Sequence, residues 1–569
     1  MKKQSFLQAS LLLTVSAVFA KLCGALFKLP LTNLLGGTGM GYFSCAYGLF
    51  LPLYAVFVTG ISTAVARPVA DFAGRGNLPA ALRVRHVARI FCAGMGLAGT
   101  VLAIVLAKSF TLRTSGSLDA YPAVLAIAPA VFLCCLTAVE RGYYEGLCSM
   151  TPTAVSQGIE AVTKLLSGLF LGKLFYNFNY LNLNFSPESR GALGAVLGVT
   201  LSTLTGYLWM IFQNFMQKNQ NKNLKNQDLN SDNIPADREI FKILIRLMIP
   251  AALGALVTNL TSLVDLMTMM RCFQNMLAEN IPGFYQKACI SLEIPVRDAP
   301  AFVYGSFMGL SVTVFNLVPS LTNMLAKGVL PCTAQAWAAG DRKSAANYAR
   351  QVLILTGMLA IPAGCGIFVL AEPILEFLFA GRDAEILTAS AGLRWLAPAL
   401  IFLCLAFPVF SLLQAIGKEH LPVQIMLVGI VVKILLNFLL IPEFCTAGAA
   451  ISTSVCYLVI LIFAILALRK ALCEKSDKKA GENLHLVKPF FSQIWGGILC
   501  AGSAWVCYDR MIFHGMHQKI SLMLAILCAV LIYILVLFLS CPKELKEFKE
   551  LKEIRESRKI RKIRQAKTN

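Results

Sequence analysis

Eight basic residues of this 569-residue chain stand inside long apolar stretches: Lys21, Lys28, Lys164, Lys242, Arg246, Arg271, Arg394 and Lys433. A lysine or arginine at the centre of a membrane-spanning helix costs roughly 2.5 to 3.5 kcal/mol on insertion scales, so such residues persist where they are paired or line a hydrated cavity. Lys242 and Arg246 fall at the entry to their stretch, where long side chains reach the interface. Six remain. Lys21 and Lys28 are seven residues apart, two turns along one helix face, and can form a single polar stripe. Glu160 and Asp265 are the acids available to balance the six. Glu160 and Lys164 are spaced i,i+4 and are expected to pair. Asp265 and Arg271 lie six apart, too far along a straight helix to meet, and Lys433 has Gly429 rather than an acid four residues before it. The surplus of embedded positive charge suits an anion, most naturally a phosphate or pyrophosphate held by Coulomb attraction and charge-assisted hydrogen bonds. Lys21, Lys28, Lys164, Arg271, Arg394 and Lys433 are therefore candidate anion-binding residues. Asp265 and Glu160 are candidates for coupling to a proton, a sodium ion or the membrane potential.

The elements that must carry these residues are membrane helices. The composition is 57% hydrophobic and only 14% charged, with a mean hydropathy of +0.68, which excludes soluble, disordered and disulfide-rich secreted classes. Apolar runs and Gly/Pro/charge punctuation predict an all-α polytopic protein of about fourteen spans. They fall near residues 6–35, 42–66, 90–107, 121–140, 152–172, 191–213, 241–274, 300–326, 351–370, 387–416, 421–441, 446–468, 489–508 and 520–540. The first lacks a small-residue cleavage site and is expected to be retained as a helix. The formal net charge of +21 is unevenly placed: 34 of the 51 Lys and Arg residues fall at the termini and even-to-odd connections, against nine on the opposite side. That bias predicts a multi-pass protein of the cell membrane with both termini in the cytoplasm. The 18 cysteines are scattered through apolar runs without a CxxC pair and are expected to be packing residues. From Lys543 to Lys567, 11 basic and 5 acidic residues predict a tail resting on anionic headgroups rather than binding nucleic acid.

The chain also resembles itself. The segment LAIAPAVFLCCL (125–136) aligns with RWLAPALIFLCL (394–405), and the same spacing carries Lys164 onto Lys433. LGA at 193–195 falls on AGA at 447–449, and VADFAGRGN before Leu78 resembles TAQAWAAGDR before Lys343. Four matches in order predict two pseudo-symmetric six-helix lobes, 1–216 and 240–470, joined by a polar linker at 217–239. An added helix pair spans 471–540 and a basic tail 541–569. Two parallel lobes of this kind form a transporter architecture with the substrate site between them.

The segments KLCGALFKLPLTNLLGGTGMG (21–41) and RGYYEGLCSMTPTAVSQGIEAVTK (141–164) resemble the stage V sporulation protein B group of oligosaccharide flippases. That group belongs to the multidrug/oligosaccharidyl-lipid/polysaccharide exporter superfamily, which also holds the lipid II flippases. The resemblance implies a MATE-like and lipid II flippase-like bundle that moves an undecaprenyl-pyrophosphate-linked saccharide between leaflets. Basic residues would bind the pyrophosphate and the last two helices would hold the lipid tail. Lys21 falls on the family's basic position in the first helix and Lys28 close to a second. Where lipid II flippases carry arginines in helices two and eight, this chain has Tyr54 or Ala55 and an uncharged stretch from Tyr304 to Phe315. The implied partners are the lipid-linked glycan and membrane lipids, with no nucleic acid, no cofactor and a monomeric state.

Three other classes make different demands on these residues. A membrane-bound transferase would ordinarily need an embedded histidine or a carboxylate cluster. All five histidines, including the metal-like pair His514 and His517, lie in or beside loops, and Glu140, Arg141 and Glu145 are expected to form a structural charge network. A MATE-type cation or drug antiporter would use Asp265 as its exchanging acid. A scaffold that has lost transport is the third alternative.

Overall fold

A computed structural model describes residues 6–178, 185–221, 236–279, 289, 292–473 and 487–540. The basic tail and most of the predicted linker lie outside the described residues. The rest is nearly all helical: α1 (Phe6–Phe57), α2 (Ile61–Gly74), α3 (Leu78–Ser115), α4 (Tyr121–Gly146), α5 (Thr151–Asn177), α6 (Pro187–Asn221) and α7 (Asp237–Glu279). After a short turn come α8 (Ala299–Ser306), α9 (Val312–Phe315), α10 (Leu317–Ala338), α11 (Arg342–Val369), α12 (Ala371–Leu378), α13 (Asp383–Ala415), α14 (His420–Cys473), α15 (Val487–Phe513) and α16 (Gln518–Ser540). Local chemistry sets several starts. Asn77 accepts from Ala80 N at 3.0 Å to cap α3, and Asp341 accepts from Ser344 N at 3.0 Å to cap α11.

Among the described residues, ten helices are long and apolar enough to cross a membrane, or eleven with the bent pair 296–315 and 317–323. α5, which carries Glu160 and Lys164, is not among them. Two of the long helices are hairpins. Gly36 leaves helical geometry at φ 64° and ψ −171°, and the Phe27 and Phe43 ring centroids lie 6.0 Å apart. Sixteen residues of straight helix would separate them by about 24 Å, so α1 doubles back at Gly36. α14 does the same at Cys445 (φ 51°, ψ −123°), because Cys456 Sγ donates to Gly429 O at 3.2 Å.

α1, α3, α4, α5 and α6 pack on one another as a first bundle. α10, α11, α13 and α14 form a second, with α15 laid against α11 and α16 packed on α15. α7 touches both, and α8 lies on α1. The α1–α8 crossing is made by glycines. A Cβ on Gly41 would collide with the Ala301 backbone, and one on Gly305 with the backbones of Gly37 and Gly41. Just beyond, Phe307–Ser311 winds as a π-helical turn, breaking the span where it faces the interior.

Candidate functional site

A cavity of about 550 Å³ lies between the two bundles. α1 contributes Lys21, Phe27 and Lys28 before its hairpin and Phe43, Ser44 and Tyr47 after it. α5 contributes Lys164, α7 Ser262, α8 Tyr304, and α10 Ser320 and Leu321, while Asn316 comes from the residue joining α9 to α10. Among the described residues, three lysines therefore line it, and no aspartate or glutamate does. The cavity opens between α1 and α10, where Leu22 and Leu321 are 53% and 56% exposed. Lys21 is exposed at this side, and Lys28 and Lys164 are half-buried further in. Lys28 and Lys164 are close enough to repel each other. Lys164 stands over two rings, its Nζ 5.5 Å from the Phe27 centroid and 5.3 Å from that of Tyr47. An aromatic face attracts an ammonium, and the attraction grows when water is excluded.

The remaining candidates sit elsewhere. The expected Glu160–Lys164 pair is not formed. Glu160 instead accepts from Arg141 Nη2 at 2.7 Å, and Arg141 also reaches Ser156 Oγ at 2.9 Å. Helical spacing allowed the i,i+4 contact, but a guanidinium from α4 takes the carboxylate. Lys433, which has no acid near it in sequence, is 1% exposed and pairs with Asp265 of α7 at 2.6 Å. Asn437 donates to Thr268 Oγ1 at 2.7 Å and accepts from Ser452, closing a polar cluster between α7 and the two halves of α14. Neither Lys433 nor Asp265 lines the cavity. Arg271 and Arg394 are exposed on α7 and α13, away from it. Glu140 is wholly buried between Arg85 and Arg89, with Asn214 Nδ2 at 2.8 Å, a charge network that ties α3 to α4 and α6. His514 and His517 are exposed in and beside the α15–α16 turn.

Sequence reasoning missed the residues that close the far end of the cavity. Arg382 Nη2 donates to Asn33 O at 2.7 Å, and Glu385 accepts from Gly37 N at 3.3 Å and from Arg382 at 3.2 Å. The guanidinium thus meets the carbonyl end of one half of α1 and the carboxylate meets the amide end of the other, each sign matching the helix dipole it faces. The signal available was a charged cluster, Arg382, Asp383 and Glu385, opening a helix otherwise free of acids.

A second hollow, of about 600 Å³, runs between α11 and the α15–α16 pair. Its walls are apolar apart from the Tyr533 hydroxyl, with Leu359, Ile367, Ala504 and Val530 among them.

Residues 301–539 match the family described as Lipid II flippase MurJ, and residues 6–288 the family described as Polysaccharide biosynthesis protein. The chain thus resembles a group of lipid II flippases and polysaccharide-biosynthesis proteins, each family model covering a little less than half of it. Within this group, the Bacillus subtilis protein "Lipid II flippase MurJ" is 22% identical over 487 residues, covering 82% of each chain. "Stage V sporulation protein B" of the same organism is 21% identical over 466 residues, covering 79% of this chain and 81% of its own. Among solved structures, "Lipid II flippase MurJ, inward closed conformation" superposes with a TM-score of 0.63 at 14% identity, over 92% of this chain and 98% of that one. An inward-facing MATE-family transporter of the MOP superfamily gives 0.55 at 15% identity, over 79% and 96%. At these identities the structural likenesses establish the MurJ/MATE fold. Members of the MurJ-like group are transporters rather than enzymes.

Proposed function

We propose that the protein is a flippase that carries a polyprenyl-pyrophosphate-linked saccharide from the cytoplasmic to the outer leaflet by alternating access. The observation that carries this reading is the lining of the central cavity: three lysines and no carboxylate. Such a site attracts a phosphate-bearing headgroup and repels an organic cation. The apolar hollow between α11 and the α15–α16 pair suits the polyprenyl tail, which must remain in a hydrocarbon-like setting while the headgroup crosses. Fourteen passes follow if each half of the α1 and α14 hairpins, α5, and the broken α8–α10 span are counted singly. Two lobes and a helix pair then take the boundaries 1–216, 240–470 and 471–540, with both termini in the cytoplasm by the charge bias. One chain encloses the cavity, so a monomer suffices. The relatives named as a lipid II flippase and a sporulation protein support a glycan cargo, and the peptidoglycan precursor is one member of that class.

The antiporter reading would need an acid free to exchange protons or sodium. Glu160 is held by Arg141 and Asp265 by Lys433, which leaves the MATE likeness as shared architecture. Coupling through Asp265 would require that pair to open. Reconstitution into liposomes with a fluorescent lipid-linked glycan tests the proposal, and protein-dependent appearance of label in the opposite leaflet is expected. Failure to move any pyrophosphate-linked cargo, together with proton-linked export of organic cations, would overturn it.

A further inference from the structure

Tyr47 stands where the two inner lysines of the cavity meet. Its ring lies under the Lys164 ammonium, with Phe27 on the other side, so Lys164 is held by aromatic faces and forms no ion pair among the described residues. Its own hydroxyl is buried close to the Lys164 ammonium, and its proton finds no acceptor in a hydrogen bond of ordinary geometry. A buried hydroxyl without a partner costs roughly 1 to 3 kcal/mol, and natural structures keep few of them. Lys28 faces the same space from the neighbouring helical strand and repels Lys164. Two ammonium groups and one donor hydroxyl thus converge on a site where the described lining holds hydroxyls and an amide but no carboxylate. A diphosphate supplies what is missing: one phosphoryl group for each ammonium and an oxygen for the phenol. A monophosphate offers a single phosphoryl group for the two ammoniums to share.

We propose that Tyr47 is a specificity-determining residue of the cavity, positioning Lys164 through its ring and donating its hydroxyl to a diphosphate group bridging Lys28 and Lys164. The inference rests on the flippase reading of the same cavity and adds the discrimination of diphosphate from monophosphate. The ring and the hydroxyl have separable duties. Tyr47→Phe keeps the cation–π contact and removes only the donor, and Tyr47→Leu removes both. Tyr207 of α6, which lines neither the cavity nor the apolar hollow, is a control.

The test measures binding of polyprenyl diphosphate and polyprenyl monophosphate to the purified full chain in detergent, by native mass spectrometry, alongside thermal unfolding. Wild-type protein is expected to prefer the diphosphate at least tenfold. Tyr47→Phe is expected to weaken diphosphate binding about three- to tenfold with little change for the monophosphate, so the preference shrinks while the melting temperature holds. Tyr47→Leu is expected to weaken both ligands, and Tyr207→Phe neither. An unchanged preference in Tyr47→Phe, with Lys28→Ala and Lys164→Ala still losing diphosphate, overturns the role of Tyr47 and leaves the flippase reading standing. Unchanged binding in both lysine variants overturns the two together.

Discussion

Lys433 shows how an embedded charge can be structural. At 1% exposure it is among the largest fully buried side chains, and among the described residues only Asp265, 168 residues earlier, neutralises it. Removing one member of such a pair leaves the other buried and uncompensated, at a cost of about 3 to 5 kcal/mol. Lys433→Met is therefore expected to lower thermal stability sharply, and Lys433→Met combined with Asp265→Leu to recover most of the loss, as measured by unfolding in detergent. A double variant no better than the single one would show that the two residues act independently. Sequence periodicity sees partners within one or two turns, so it proposed Glu160 for Lys164 and none for Lys433. Glu160 pairs instead with Arg141 and Lys433 with Asp265, each partner coming from another helix. The three cavity lysines were legible because their burden on an apolar helix is visible without knowing the fold. Tyr47 was not, because a tyrosine in a membrane helix is unremarkable until its hydroxyl is found without a bond.

At the scale of elements, the paired glycines of LLGGTGMG do more than turn the chain. Gly36 provides the positive φ of the hairpin, and Gly37 and Gly41 allow Gly305 of α8 to approach at backbone contact. Small residues at such crossings replace the hydrophobic drive that helices lack inside lipid. Gly305→Val would force the two backbones apart, and overpacking of this kind costs roughly 1 to 3 kcal/mol. The variant is expected to express and insert, to melt lower, and to admit a cysteine placed at Ser306 to a water-soluble thiol reagent that the native crossing excludes. Retained stability with unchanged protection would mean that the crossing tolerates a wider spacing than the glycines imply. The hairpin ends were visible in sequence as Gly and Pro punctuation. The π-helical turn at Phe307–Ser311 was not, since nothing in that uniformly apolar stretch distinguishes it from a continuous helix.

For the whole molecule, contacts between the bundles gather at the hairpin end of α1. Arg382 and Glu385 hold Asn33 and Gly37, Gln274 of α7 donates to Thr114 O at 3.0 Å, and Arg297 reaches Asp119 at 3.4 Å. Burial, then the neighbouring Asp298, raise Asp119 above the usual carboxylate range, with Arg297 opposing and Glu188 adding a smaller push upward. A carboxyl whose pKa is raised on closing keeps a proton that the opened chain releases, so closure is favoured below that raised pKa and weakens as pH climbs through it. Asp119→Asn should flatten the dependence. Alternating access requires this end to part, and Arg382 makes the most contacts that must break. Arg382→Gln keeps length and a donor but removes the charge that matches the carbonyl end of α1, while Glu385 keeps its amide contact. In proteoliposomes, a cysteine at Ser44, on the cavity wall, is expected to react faster with an impermeant maleimide applied from the hairpin side in Arg382→Gln than in the parent. Relative to the fall in thiolate reactivity measured on a free cysteine at the same pH, lowering the pH toward the carboxylate range should slow the reaction further in the parent and not in Asp119→Asn. Equal reactivity of parent and Arg382→Gln would assign the closed end to apolar packing at the glycine crossing, with the ion pair contributing little to which face of the cavity is open.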